Sequence, residues 1–173
     1  MTANQPIQHS HYTQVNASRK FPVDILIDGL RTPQNIGMCL RLSEAFGVQN
    51  VFLHKSSPDP SNRSVKKSAR EAEKKLELRY FENVISQIHE RQEKGFSIIS
   101  LELTDKSKSI DTYRFSTDKP ICLVIGSERN GIQQEILNLS DEILSIDMFG
   151  SNSSLNVATS LSIALYEITK QLR

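Results

Sequence analysis

Three short segments of this chain carry residue types that can hold a polar ligand and act on it. Ser151-Asn152-Ser153-Ser154-Leu155-Asn156-Val157-Ala158 is a run of small polar residues that passes abruptly into an apolar helical pattern. Gly126-Ser127-Glu128-Arg129-Asn130-Gly131 follows the apolar run Ile121–Ile125, and Arg31-Thr32-Pro33-Gln34-Asn35-Ile36-Gly37 opens another helical pattern. Loops that leave a strand and open a helix present free backbone N–H groups, which suit a polar or anionic ligand. Glu128 is the one carboxylate within them.

The Gly126 segment resembles the start of a P-loop, but Ile132-Gln133 stands where Lys-Ser/Thr would be needed. Without that lysine and hydroxyl it lacks the groups for a nucleoside triphosphate and magnesium, and it is not G-x-G-x-x-G either. Arg41 stands three and four residues after Met38 and Gly37, with Gln34 a turn earlier. Gly37 leaves room for the guanidinium to lie along the helix and reach the loop that opens it, which would suit a phosphate. The commoner fate of a lone arginine is a surface ion pair, here with Glu44 or Glu128. Cys39 and Cys122 sit among apolar neighbours, as reduced, buried thiols do, and His9, His11, His54 and His89 have no metal-ligand spacing. No metal site is expected.

The elements that must position these residues alternate. Strands are expected at Val23–Ile27, Val48–His54, Phe96–Leu103, Ile121–Ile125 and Ile143–Met148. Helices are expected at Pro33–Phe46, Val65–Leu76, Glu82–Lys94, Ile132–Leu139 and Leu155–Leu172. Apolar runs rather than clean alternation suit strands covered on both faces, so an α/β fold follows, with a mostly parallel sheet and helices on both sides. At 173 residues the chain suffices for one well-cored domain, over 21–173, preceded by a flexible polar arm over 1–20. No apolar run is long enough for a membrane span and no signal pattern opens the chain, so the cytoplasm is the expected compartment. The last helix is apolar around most of its circumference, so it must be buried in the core or against another subunit.

Net charge is only +1. From Arg63 to Arg79, however, seven basic residues meet three acidic ones, and Arg63, Lys67, Arg70 and Lys74 follow helical spacing. The stripe is either a solvated face with pairs such as Glu71–Lys75 or a phosphate-backbone contact.

Taken together, the three segments resemble the three motifs of the SPOUT methyltransferases, in the SpoU/TrmH-type branch. The first covers Arg31 to Gly37 and continues through Arg41 to Val48. The second is Leu123 to Ile132. The third is Ile146-Asp147-Met148-Phe149-Gly150 followed by Ser154-Leu155-Asn156-Val157. The resemblance spans about Val23 to Leu172. It implies a C-terminal trefoil knot, a homodimer packed through the last helix, and methylation of RNA ribose 2′-hydroxyls with S-adenosyl-L-methionine. The cofactor would be held around Leu101, Ile125, Gly126, Glu128, Gly131, Ile146, Met148, Ser154 and Leu155. Arg41 would be the catalytic arginine, acting with the substrate phosphate, and Asn35, Glu128, Ser154 and Asn156 would shape the site. An arginine base is chemically demanding, since guanidinium pKa values exceed about 12.

Two departures matter: Asn152 and Ser153 lengthen the polar stretch, and the appended RNA-binding domain of many ribosomal-RNA members is missing from this sequence. The second tilts the expected substrate toward tRNA. The stretch Leu101 to Ser107 further resembles members that modify the D-loop guanosine. The rival readings are an rRNA-methylating member of the same family, a base-methylating relative, and a non-catalytic knotted RNA-binding module. Base-modifying branches lack an arginine at the position of Arg41.

Overall fold

The computed structural model describes residues 19–152 and 154–173. The expected arm, 1–20, falls outside them apart from its last two residues. Those are tied down: Arg19 donates to the Leu172 carbonyl (3.0 Å) and Lys20 to that of Val48 (2.8 Å).

Every strand pairing is parallel, in a seven-stranded sheet ordered β3-β2-β1-β6-β4-β7-β5. The strands are β1 (Val23–Ile27), β2 (Asn50–His54), β3 (Glu77–Phe81), β4 (Ser97–Leu101), β5 (Lys108–Ser109), β6 (Ile121–Ile125) and β7 (Glu142–Ser145). The central strands β1 and β6 are buried at all five positions. Alternate residues feed opposite layers. Val23, Ile25, Ile27, Ile121, Leu123 and Ile125 pack with Ile36, Leu40, Val65, Leu161 and Leu165. On the other face Leu26, Phe52, Cys122 and Val124 pack with Ile88 and Ile136. Helices α1 (Pro33–Ala45), α2 (Arg63–Ala69) and α5 (Val157–Gln171) therefore cover one face, and α3 (Val84–Glu93) and α4 (Gln134–Leu139) the other.

Asp24 is the one polar residue of β1, and it faces the second layer. It accepts from Asn50 Nδ2 at 2.7 Å and pairs with buried Arg91 at 3.0 Å. The Arg91 Nε–H finds no hydrogen-bond acceptor, so that pairing is Coulombic, and the guanidinium lies 4.0 Å from the centre of the Phe52 ring. Burial pushes the Asp24 carboxyl above its usual range against the opposing pull of Asn50 and Arg91.

The expected helix Val65–Leu76 is corrected. α2 stops at Ala69, Arg70 and Glu71 take left-handed backbone (φ 52° and 70°), a 3₁₀ turn follows at Ala72–Lys74, and β3 begins at Glu77. The anticipated Glu71–Lys75 pair is likewise replaced, by Glu71–Lys74 (2.9 Å) and Lys75–Glu44 (3.5 Å). Gly37 also has a different job from the one expected. It is buried where α1 crosses α2, and a Cβ there would overlap Ser68 Oγ and the Val65 carbonyl. It brings two helices together rather than clearing a path for Arg41.

α5 buries Ala158, Leu161, Ala164, Leu165 and Ile168 in its own core, while Ile163 and Tyr166 remain 36% and 55% exposed. No helix among the described residues is long and apolar enough to cross a membrane.

Candidate active site

The carboxyl ends of β4, β6 and β7 and the first turns of α1 and α5 converge at one edge of the sheet, where open α/β sheets hold ligands. Asn156 is the N-cap of α5, its Oδ1 accepting from Ala158 N (2.9 Å) and Thr159 N (3.4 Å). Its Nδ2 donates to Asn35 Oδ1 at 3.1 Å, and Asn35 Nδ2 donates to Glu128 Oε1 at 3.0 Å. The Glu128 carboxylate also accepts from the backbone of Thr32 (3.2 Å) and Arg31 (3.4 Å). One hydrogen-bonded chain thus joins all three sequence segments. Partial burial pushes the Glu128 carboxyl upward, but the bonds from Thr32, Asn35 and Arg31 outweigh it and lower its pKa to about 2. Glu128 is held as an anion and is a poor proton acceptor.

The loop after β6 is a tight hairpin. Ser127 and Gly131 exchange backbone hydrogen bonds (3.2 and 3.0 Å), and Gly126 packs so close to the Gly131 carbonyl that any Cβ would overlap it. Glu102, at the end of β4, fixes the same loop from the other side. Its Oε2 accepts from Ile132 N (2.8 Å), and its Oε1 from Leu103 N (3.0 Å).

These elements enclose a cavity of about 530 Å³, lined by Leu101, Glu102, Ile125, Gly126, Ser127, Glu128, Arg129, Gly131, Ser154, Leu155, Asn156, Val157 and Ser160. A smaller one of about 120 Å³ shares Leu101, Glu102, Ser154, Leu155 and Ser160 with it and adds Leu103, Ser145, Ile146 and Met148. Seven of the nine positions expected to surround a cofactor line the larger cavity, and Ile146 and Met148 line the smaller one beside it. Glu102, Ser127, Arg129 and Ser160 were not foreseen. Glu102 follows an apolar run like any solvated strand end, so only the fold reveals its carboxylate beneath the Gly131–Ile132 peptide.

Arg41 does not line this cleft. It is exposed on α1, in a stripe with Gln34 and Met38, and no carboxylate pairs with it among the described residues. Arg63, Lys67, Arg70 and Lys74 lie apart from the cleft, around a concavity of their own. Both thiols are inert: burial pushes Cys39 and Cys122 up to about 12. No cluster of three or more His, Cys, Asp or Glu residues suited to a metal occurs among the described residues.

Known proteins match this arrangement. The chain is 30% identical over 155 residues to the 23S rRNA (guanosine-2′-O-)-methyltransferase RlmB of Vibrio parahaemolyticus, covering 90% of this chain and 62% of that one. It is 31% identical over 157 residues to RlmB of Shewanella oneidensis, covering 91% and 63%. The chain thus spans a little over three fifths of these relatives' length. The Aquifex aeolicus TrmH/SpoU tRNA modifying enzyme superposes with a TM-score of 0.79 at 25% identity, over 89% of this chain and 77% of that one. Streptomyces viridochromogenes AviRb, a SpoU methyltransferase solved with AdoMet, superposes with a TM-score of 0.74 at 25% identity, over 86% and 59%. The SpoU rRNA Methylase family profile matches residues 22–166, and this chain belongs to that family.

Proposed function

We propose that this chain transfers a methyl group from S-adenosyl-L-methionine to a ribose 2′-hydroxyl of RNA. The observation that carries this reading is the frame Asn156–Asn35–Glu128 at the rim of a cavity of about 530 Å³. That volume lies within the roughly 300–1,000 Å³ of small-molecule sites. The lining fits the cofactor: apolar walls at Leu101, Ile146, Met148 and Leu155 suit an adenine ring, and the backbone-rich loop Gly126–Gly131 suits its polar end. When bound, the cofactor supplies an electrophilic methyl group on a sulfonium. No metal is needed for that transfer, so cofactor binding is expected to persist in EDTA.

The chain's own residues divide the remaining work. Glu128, held anionic, locks the first turn of α1 against the β6 loop. Asn35 and Asn156 hold that lock from both sides, and neither carboxamide takes up a proton. Ser154, exposed at the cleft, faces the incoming ribose. Arg41 meets the substrate phosphate, and its guanidinium stabilises the negative charge that builds on the 2′-oxygen as that oxygen takes the methyl group and its proton passes to solvent.

The active species in this reading is a homodimer, since α1 and α5 pack side by side and leave Met38 on the first and Ile163 and Tyr166 on the second exposed. The C-terminal half is knotted. This is supported by β6 lying between β1 and β4, both earlier in the chain. Its compartment is the cytoplasm.

Methyl transfer from radiolabelled S-adenosylmethionine, offered separately to unmodified tRNA and 23S rRNA and followed by nucleoside analysis, tests the proposal. The tRNA arm asks for the D-loop guanosine, and the rRNA arm follows the names of the curated relatives. A 2′-O-methylnucleoside in either arm supports the reading and names the target. A base-methylated product or unlabelled RNA overturns it.

A further inference from the structure

A second concavity lies outside the cleft. It measures about 520 Å³ and is lined by Arg63, Lys66, Lys67, Arg70 and Lys74 together with Glu71 and Glu73. Its shape comes from the break in the chain at Arg70–Glu71. An unbroken helix would lay the cations along a convex stripe, whereas two successive left-handed residues fold the 3₁₀ turn back toward α2. These two are the only non-glycine residues with positive φ among those described. L side chains adopt such backbone at a cost that glycine avoids, and it persists where surroundings or function enforce it.

Only Lys74 has a partner here, Glu71 at 2.9 Å. Arg63, Lys66, Lys67 and Arg70 have no carboxylate within 4.0 Å among the described residues. The support beneath is rigid, since Val65 and Ala69 are buried and α2 meets α1 at Gly37. The lining contains no aromatic or aliphatic side chain with which to read a base or grip a peptide motif.

We infer that this cradle holds backbone phosphates of the substrate RNA at a point away from the reacting ribose; this rests on the RNA-methylation reading. Two guanidiniums and two free ammoniums around a concave surface match successive phosphates, with bidentate contacts from the arginines. Without base-reading groups the contact is independent of sequence: it positions the RNA and leaves the target to be chosen at the cleft.

The test is binding of a fluorescent RNA hairpin to the full chain without cofactor, over a salt series, so the result does not depend on whether methyl transfer occurs. Lys67→Ala with Arg70→Ala should weaken binding roughly tenfold or more and flatten the salt slope by about two. Lys67→Arg with Arg70→Lys keeps the charge and should stay near wild type, which separates charge from misfolding. Lys94→Ala with Lys119→Ala, remote from the cradle, serves as control. An alanine pair no weaker than that control overturns the proposal. So does polyglutamate binding as tightly as RNA at equal charge, which would assign the cradle to an acidic peptide.

Discussion

Replacing Glu128 with glutamine removes one charge from the centre of the frame while keeping its shape. The carboxylate accepts from Thr32 N, Arg31 N and Asn35 Nδ2, whereas a glutamine carbonyl serves these donors less well and its NH₂ meets one of them head-on. A fall from the ordinary 4.5 to about 2 corresponds, at full value, to about 3 kcal/mol at roughly 1.4 kcal/mol per pH unit. Glu128 is largely solvent-exposed, so screening reduces this to about 1–2 kcal/mol. The sign follows from a pKa depressed in the folded state. The stabilisation is fully present above pH 4.5 and is lost as pH falls toward 2. Glu128→Gln should therefore lower the stability measured by urea unfolding at pH 7 by about 1–2 kcal/mol, or roughly 2–8 °C in Tm. The gap from wild type should narrow at pH 3, with protein concentration held fixed. A variant as stable as wild type at pH 7, or a gap unchanged by acid, refutes the reasoning.

Arg41→Ala should abolish methyl transfer while calorimetric titration shows cofactor affinity nearly unchanged, because Arg41 lies outside the cleft lining; near-normal turnover would sink its assignment to the substrate. Gly37→Ala should cost about 1–3 kcal/mol through overpacking between α1 and α2, read as a lowered urea midpoint, although alanine is the better helix former. Ile163→Asp with Tyr166→Asp should give a folded monomer in sedimentation if the α5 face is the subunit contact; an unchanged dimer would place that contact elsewhere.

The sheet's centre was legible because its strands are apolar runs, interrupted only by Asp24, that are buried on both sides: Val23–Ile27 and Ile121–Ile125 form strands at the residues expected. Its margins were not. β3, Glu77-Leu78-Arg79-Tyr80-Phe81, is an edge strand with one buried residue, and its charged residues leave no apolar run to mark a strand. The break at Arg70–Glu71 carries no glycine or proline to announce it. β7 ends at Ser145 and α5 begins at Val157, both shorter than expected, because Ile146, Met148, Ser154, Leu155 and Asn156 line the cleft rather than extend ladder or helix. Within the site, loop composition located the cleft. Composition was silent on how its polar groups pair, since the bonds from Asn35 span 93 and 121 residues of sequence.

That separation bears on when the cleft comes into being during folding. Asn35 lies near the start of the fold, Glu128 three quarters of the way along, and Asn156 close to its end. Contacts between positions so far apart form only after the loops between them have closed, which makes them slow to appear. A chain that has made β1, α1 and β2 has two of the seven strands of its sheet and no binding site. The site is complete only when α5 docks and Asn156 reaches Asn35. Cofactor binding therefore reports the last event of folding, and during refolding it should lag the recovery of helical and strand signal.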